Sequence, residues 1–234
     1  GMSAQRETVL ITGAAGQLGA AVASAFHQRG ARLVLLDRDA DVLHGRFGTL
    51  ADAVLIDVDL LDRDQVAARV ADAVARVGRI HALCHVAGGF RMGEKVHETS
   101  ARTWDFLLGL NAGSLLNIAA AVVPHLIGQG GGKVVTVGAA GALKGAADMG
   151  AYGASKAALI RLTEAMSAEL RDQGVNVNCV LPSIIDTPDN RAAMPDADVS
   201  RWVAPEALAD VIAFLASDAA RAIHGAAIPV TGRV

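Results

Sequence analysis

Basic residues do not outnumber acids here. Lys and Arg total 21 against 24 Asp and Glu, the net charge is −3, and no basic block occurs anywhere along the 234 residues. That argues against a nucleic-acid-binding surface. Cysteine is almost missing. Cys84 and Cys179 stand singly in apolar runs without C-x-x-C spacing, which points to buried free thiols in a reducing, cytoplasmic compartment and away from a disulfide frame or a metal site. The lead ahead of Thr8 is short and polar, so no signal peptide is expected. The longest apolar stretch, 114–127, is broken by Asn117, Pro124 and His125. It falls short of the ~20 apolar residues that cross a bilayer. Internal repeats, low-complexity linkers and a domain boundary are also missing. The scarcest aromatic is tyrosine: Tyr152 is the only one, and the loop before it, 138–151, contains no serine, threonine or histidine.

Apolar residues make up 52% of the chain, ample for one large α/β domain. Short β-rich runs at 8–12, 32–37, 53–59, 80–88, 133–139, 175–182 and 226–232 alternate with helical patterns at 20–30, 63–78, 101–127, 152–170 and 205–217. The strand runs do not alternate apolar with polar, as expected for strands covered on both faces. This order predicts a single-domain, Rossmann-type, doubly wound α/β fold: a mostly parallel seven-stranded sheet with helices on both faces. Two segments without clear periodicity, 89–100 and 183–204, follow strands. Ligands bind beyond the carboxyl ends of such strands, and 183–204 reads as a substrate lid.

The stretch TGAAGQLG at 12–19 joins the first strand to the first helix, with Gly13, Gly16 and Gly19 at G-x-x-G-x-x-G spacing. Such a turn brings backbone close to a pyrophosphate and aims helix N-terminal N–H groups at it. Ala15, Gln17 and Leu18 complete that cradle. Asp37 ends the second strand 24 residues after Gly13. A carboxylate there accepts from a ribose 2′-OH and repels a 2′-phosphate, which favours NAD(H) over NADP(H). The neighbouring Arg38 could instead swing toward a 2′-phosphate.

Tyr152 and Lys156 are one helical turn apart and share a face. A phenol titrates near ~10, and a nearby ammonium is expected to lower that value and ease proton exchange. The segments TGAAGQLG, Asp37, Asp57, HVAGG (85–89), Asn111 in GLNAGS, YGASK (152–156) and LPSIIDT (181–187) together resemble the short-chain dehydrogenase/reductase family over nearly the whole chain. The resemblance implies that Asp57 and Val58 hold the adenine and that Ala87, Gly88 and Gly89 line the cofactor. Lys156 binds the nicotinamide ribose, Asn111 anchors a water-mediated proton path to Lys156, and Pro182, Ile185 and Thr187 hold the carboxamide end. Tyr152, Lys156 and Asn111 are then the catalytic set. It also implies a homodimer or homotetramer, for which the small-residue helices at 101–127 and 151–173 are suited.

There are departures from the family pattern. Gln17 and Gly16 interrupt its usual turn, His85 stands in the strand after which Asn is usual and is read as a satisfied strand-end residue, and Ser183 replaces a glycine. Above all, the family's catalytic serine, thirteen residues before the tyrosine, is Ala139. Thr136 lies too early to replace it, Ser155 is expected to face elsewhere, and Ser183 is the one hydroxyl placed to reach a substrate. Segments 137–156 and 181–202 resemble, more particularly, the dihydropteridine reductase branch, which also lacks the serine. That implies reduction of a conjugated electrophilic heterocycle such as a quinonoid dihydropterin, with Phe90 and Trp202 as aromatic walls. The alternatives are a general alcohol/carbonyl dehydrogenase and a non-catalytic nucleotide-binding module. No metal is expected.

Overall fold

The computed structural model describes residues 6–234; the signal-peptide expectation, which rests on residues 1–5, lies largely outside the described residues. Seven strands, β1 (Thr8–Thr12), β2 (Arg32–Asp37), β3 (Val54–Asp57), β4 (Ala82–His85), β5 (Gly132–Val137), β6 (Val175–Pro182) and β7 (Ala227–Val230), form one sheet in the order β3-β2-β1-β4-β5-β6-β7. Every pairing is parallel, so the sheet is wholly rather than mostly parallel.

Alternate strand residues supply two cores. Leu10, Val34 and Leu36 face one side, where α3 (Arg63–Val77), α5 (Ser114–Gly128) and α6 (Gly150–Leu170) bury Val66, Ile118, Leu126 and Leu159. Val9, Ile11, Leu33 and Leu35 face the other side, covered by α1 (Gln17–Gln28), α2 (Ala40–Phe47) and α8 (Pro205–Leu215) through Phe26, Leu43, Leu208 and Ile212. The unbroken apolar strand runs are thus explained by helices on both faces. Side-chain caps start several helices. Asp39, Asp62 and Ser100 accept from Val42 N, Gln65 N and Thr103 N, the last opening α4 (Ala101–Leu108), and each satisfies an orphan helix donor.

The expected helix at 101–127 is continuous but not uniform: a π turn at Gly109–Gly113 joins α4 to α5. The joined 28 residues, with mean hydropathy 1.8 in their most apolar window, are long and apolar enough to cross a membrane by composition. The sequence reading judged only the apolar stretch 114–127, not the whole of the helix it expected from 101. One face of α5 nevertheless lies on the sheet, with Leu115, Ile118, Val122 and Leu126 buried. Two helices were not expected: α2, and the short α7 (Pro188–Ala193) inside 183–204.

Candidate active site

The strand order reverses direction between β1 and β4, and the crevice at this switch point is where such sheets take ligands. The turn after β1 fits a pyrophosphate. Gly13 has φ +68°, and a Cβ on it would lie 2.8 Å from the backbone of Ala87. A Cβ on Gly19 would lie 2.0 Å from Gly13 O, so neither position takes a side chain. Gly16 N donates to Gly13 O at 3.1 Å, and α1 begins after it without a side-chain cap. The first-turn N–H groups of Gln17, Leu18 and Gly19 are left facing out. This glycine cradle at an uncapped helix start suits a dinucleotide pyrophosphate.

Asp37 stands beside the turn, as its position in the sequence predicted. Its carboxylate accepts from Ala15 N at 3.0 Å and Asp39 N at 2.9 Å, and Arg38 beside it is exposed. Asp57 pairs in register with Asp37 and is exposed. The Val58 side chain is buried and its N–H is spent on Asp37 O at 3.0 Å. Of the two residues expected at the adenine, Asp57 is therefore the accessible one.

The loop after β4 is pinned from below. Thr12 Oγ1 accepts from Val86 N and Ala87 N and pairs with His85 Nδ1 at 2.8 Å. His85 Nε2 pairs with Ser114 Oγ at 3.1 Å. Burial pushes the imidazole down to about 3, so it is neutral and serves as a strut, as its strand-end reading anticipated. Asn111, fully buried in the π turn, clamps Gly89 from both sides: its Oδ1 accepts from Gly89 N at 2.8 Å and its Nδ2 donates to Gly89 O at 2.9 Å. The same amide donates to Ser155 Oγ at 3.0 Å. A Cβ on Gly88 would meet both Asn111 Oδ1 and Lys156 Nζ at 3.0 Å, so these two groups flank one bare patch of backbone.

Lys156 Nζ donates to Val137 O, at the end of β5, at 3.0 Å, and the side chain is buried. Burial lowers its pKa to about 8. The thiol of Cys179 lies alongside, 3.1 Å from where a Cβ on Gly138 would stand. Burial also raises the Tyr152 phenol. The expected lowering of Tyr152 by the ammonium is therefore corrected: Lys156 is turned to the Val137 carbonyl, and desolvation of the phenol dominates. At neutral pH the phenol stays protonated. It makes no side-chain hydrogen bond among the described residues, and the Phe90 ring packs against it edge-on at 4.8 Å. A cavity of about 220 Å³ opens beside Tyr152, lined also by Arg91, Met92, Glu94, Thr103 and Asp148.

Other expectations are revised. Ser183 Oγ donates to Thr231 O at 2.8 Å, so it is held by the C-terminal strand end and does not face a substrate. Trp202 is 8% exposed and does not line the cavity beside Tyr152; it belongs to the interior. Ser155 faces away as expected, donating to Tyr152 O at 2.8 Å. Thr136 is buried against Thr163. Ala139 lies two residues beyond β5, at the start of a short 3₁₀ turn, and is buried. Pro182 closes β6; Ile185 bridges to Val203, and Thr187 caps α7 through Asn190 N at 3.2 Å. Sequence reasoning missed Arg91, the Thr12 clamp, Cys179 behind the lysine, and Asp148, whose φ of +62° is the one left-handed non-glycine among the described residues. The residue type at 148 gives only a weak hint of that conformation; Arg91 was legible as a charge in the 89–100 segment but carried no motif. Among the described residues no cluster of three His, Cys, Asp or Glu could hold a metal.

A parallel doubly wound sheet, a glycine cradle at its switch point, and a buried lysine one turn after an unpaired phenol together define a dinucleotide-dependent oxidoreductase. Residues 13–232 match the family model described as enoyl-(acyl carrier protein) reductase, and the chain belongs to the short-chain dehydrogenase/reductase family. It is 31% identical to 3-oxoacyl-[acyl-carrier-protein] reductase of Thermotoga maritima, over 99% of this chain and 98% of that one. It is equally 31% identical to cis-4-hydroxycyclohexanecarboxylate dehydrogenase of Sinomonas cyclohexanicum, over 95% and 94%. The solved 3-ketoacyl-(acyl-carrier-protein) reductase of Brucella melitensis complexed with NADH superposes with a TM-score of 0.88 at 26% identity, over 97% of this chain and 98% of that one. The protein is an NAD(P)-dependent oxidoreductase of this family.

Proposed function

We propose that the chain reduces activated carbonyl or conjugated electrophilic substrates with NADH, and that Tyr152 is the side chain that exchanges the proton. The observation that carries this reading is how the hydroxyls around the cavity are used. Ala139 has none. Ser155 donates to Tyr152 O, Ser183 to Thr231 O, Thr99 to Lys95 O and Thr103 to Glu94 Oε1. The phenol of Tyr152 is left as the uncommitted hydroxyl.

The glycine turn would hold the pyrophosphate of NADH, Asp37 the adenosine ribose and the Gly88 patch the nicotinamide end, and the bound cofactor would supply a hydride to the substrate. Tyr152 gives its proton to the substrate atom that gains the electron pair and recovers one from solvent. A ketone C=O would become CH–OH, whereas a quinonoid dihydropterin would take up hydride and proton at ring nitrogens and form no alkoxide. Lys156, cationic at pH 7, would hold the ribose beside the bare backbone at Gly88, while Asn111, spent on Gly89 and Ser155, keeps that backbone in place. Asp37 supports NADH over NADPH by repelling a 2′-phosphate. The missing polarising donor costs ~3 kcal/mol of barrier, or about a hundredfold in rate, on a simple ketone. Only a substrate that is already electrophilic escapes that loss. A quinonoid dihydropterin fits this demand, since its proton goes to nitrogen and no alkoxide forms. The second reading, a general alcohol/carbonyl dehydrogenase, is favoured by the activities named for the two relatives.

The test is single-turnover NADH oxidation with quinonoid dihydropterin, a 3-oxo ester and cyclohexanone. Rapid oxidation with the first two and slow oxidation with the third are expected. Tyr152→Phe should slow turnover at least ~100-fold while NADH binding is retained. No oxidation of any substrate by the NADH-bound protein would reject the reading, and equal rates on cyclohexanone would reject the activated-substrate part of it.

Three settings complete the proposal. The chain self-associates as a dimer or tetramer through α4, α5 and α6, supported by the exposed Trp104, Leu116 and Ile127 and checked by light scattering. The 183–204 segment acts as the lid. Two free, buried cysteines support a cytoplasmic setting.

A further inference from the structure

We infer that Arg91 is an anchor for an anionic group on the substrate, so that the enzyme acts on carbonyl compounds bearing a carboxylate or similar oxyanion away from the reacting carbon. This rests on the reading of Tyr152 as proton donor. Three consecutive residues after β4 are each fixed to the catalytic frame. Gly89 is clamped by Asn111. Phe90 packs on Tyr152 at 4.8 Å. The Arg91 guanidinium lies 3.6 Å from the centroid of Phe106. Phe106 is itself rooted at the clamp: a Cβ on Gly89 would meet its ring at 3.0 Å. The guanidinium is thus presented on an aromatic platform whose position is tied to Tyr152 through a few short contacts, and stacking of this kind holds an Arg plane in place.

The neighbouring carboxylates take no hydrogen bond from Arg91 among the described residues, although, after the hydrogen bonds from Ser100 and Thr103, the Arg91 charge helps hold the Glu94 carboxyl below its usual range. Glu94 spends its oxygens on Ser100 N at 3.0 Å, Ser100 Oγ at 3.3 Å and Thr103 Oγ1 at 3.0 Å, fastening the start of α4. Asp148 faces Lys95 at 3.6 Å, and its carbonyl accepts from Gly93 N at 2.8 Å. Among the described residues no acceptor takes a hydrogen bond from Arg91. Its fork of donors and the Tyr152 phenol are the uncommitted side-chain donors on the cavity wall. A planar guanidinium binds carboxylates and related oxyanions bidentately. Such a contact lies away from the reacting carbon, so it adds orientation as well as affinity.

The experiment compares 3-oxobutanoate, 4-oxopentanoate and 5-oxohexanoate with their methyl esters, in kcat/KM with NADH. Binding of pentanoate, which cannot be reduced, to the protein–NAD⁺ complex is measured by calorimetry. At least one oxo acid should exceed its ester at least tenfold. The ratio should collapse toward one in Arg91→Gln, mainly through KM, and recover in part in Arg91→Lys. Pentanoate should bind the wild type and not Arg91→Gln. An acid-to-ester ratio near one throughout the series, or one that Arg91→Gln leaves intact, overturns the anchor. If pentanoate binding depends on Arg91 while no oxo compound is reduced, the anchor stands and the proton-donor reading falls. If no carboxylate binds, the anchor falls whatever the turnover.

Discussion

Lys156→Met should make the pH dependence of stability fall away while removing catalysis. In the native protein burial brings the ammonium from its usual 10.5 to about 8, and the side chain is 6% exposed. Between those two values the unfolded chain binds more protons than the folded one, so stability rises with pH across that window. At pH 7 the charged, buried lysine holds the fold about 3 kcal/mol below what a neutral amine would allow, from roughly 1.4 kcal/mol per pKa unit. By pH 9.5 about 2 kcal/mol of that handicap is gone. The methionine variant lacks this term and also lacks the bond to Val137 O, whose loss costs about 1–3 kcal/mol at every pH. The absolute stability of the variant at pH 7 is therefore near that of the wild type or above it. The sharper quantity is the double difference: from pH 7 to pH 9.5 the wild type should gain about 2 kcal/mol relative to Lys156→Met, or roughly 4–8 °C in Tm for a domain this size. Urea unfolding of both proteins at the two pH values, followed by far-UV circular dichroism, measures it. A double difference below about 0.5 kcal/mol would mean that the lysine is solvated in the folded state, and the buried-ammonium account of the site would fail.

Ala139→Ser places a hydroxyl two residues beyond β5. It should raise kcat/KM on cyclohexanone by up to about a hundredfold while changing quinonoid dihydropterin reduction much less, as read from steady-state NADH oxidation. Asp37→Ser removes the carboxylate beside Ala15 N and should narrow the NADH-over-NADPH preference about tenfold, seen in fluorescence titration of both cofactors. Gly19→Ala sets a methyl 2.0 Å from Gly13 O. Cofactor binding should fall below detection by calorimetry and the protein should lose at least ~1 kcal/mol by urea unfolding; an alanine variant that binds NADH normally would remove the glycine turn from the phosphate site.

The strands were the most legible part of the chain. Val9 to Ile11 and Leu33 to Leu36 carry unbroken apolar runs because helices cover both faces, and that pattern names a buried parallel strand without any tertiary knowledge. Tyr152 and Lys156 were legible because i and i+4 share a helix face. What the pair does to its own pKa values was not. The direction of the lysine is set by the Val137 carbonyl, nineteen residues earlier in the chain, and a spacing rule holds no information on desolvation. Ser183 and Trp202 misled for the same reason: residue type suggested a donor and an aromatic wall, while the Thr231 carbonyl holds the serine and the indole is buried away from the cavity. The helix α2 was missed because it is only eight residues long with two buried positions, Leu43 and Phe47, too few to show a period. The π turn at Gly109–Gly113 leaves no periodic mark either, yet it is what turns Asn111 inward to grip Gly89.

The absent hydroxyl at Ala139 and the guanidinium at Arg91 bear on each other. A reductase that cannot polarise its substrate with a second donor has two ways to recover rate. It can accept only substrates that are electrophilic in themselves, or it can use binding energy from a remote group to hold the reacting carbon in line. The segment 89–91 is built for the second, since Gly89 and Phe90 tie it to Asn111 and Tyr152 before Arg91 reaches out over Phe106. On the proposed reading Tyr152 would make the short contact at the reacting end and Arg91 a bidentate one at the far end, two points that would fix a substrate's position along the cavity. On this account Arg91→Gln should be more damaging to a weakly electrophilic oxo acid than to a strongly electrophilic one, because the weaker substrate depends more on alignment. Introducing Ala139→Ser into Arg91→Gln should restore part of that loss. If the two changes combine with no interaction beyond about 0.5 kcal/mol, orientation and polarisation are independent in this enzyme and the coupling argued here is absent.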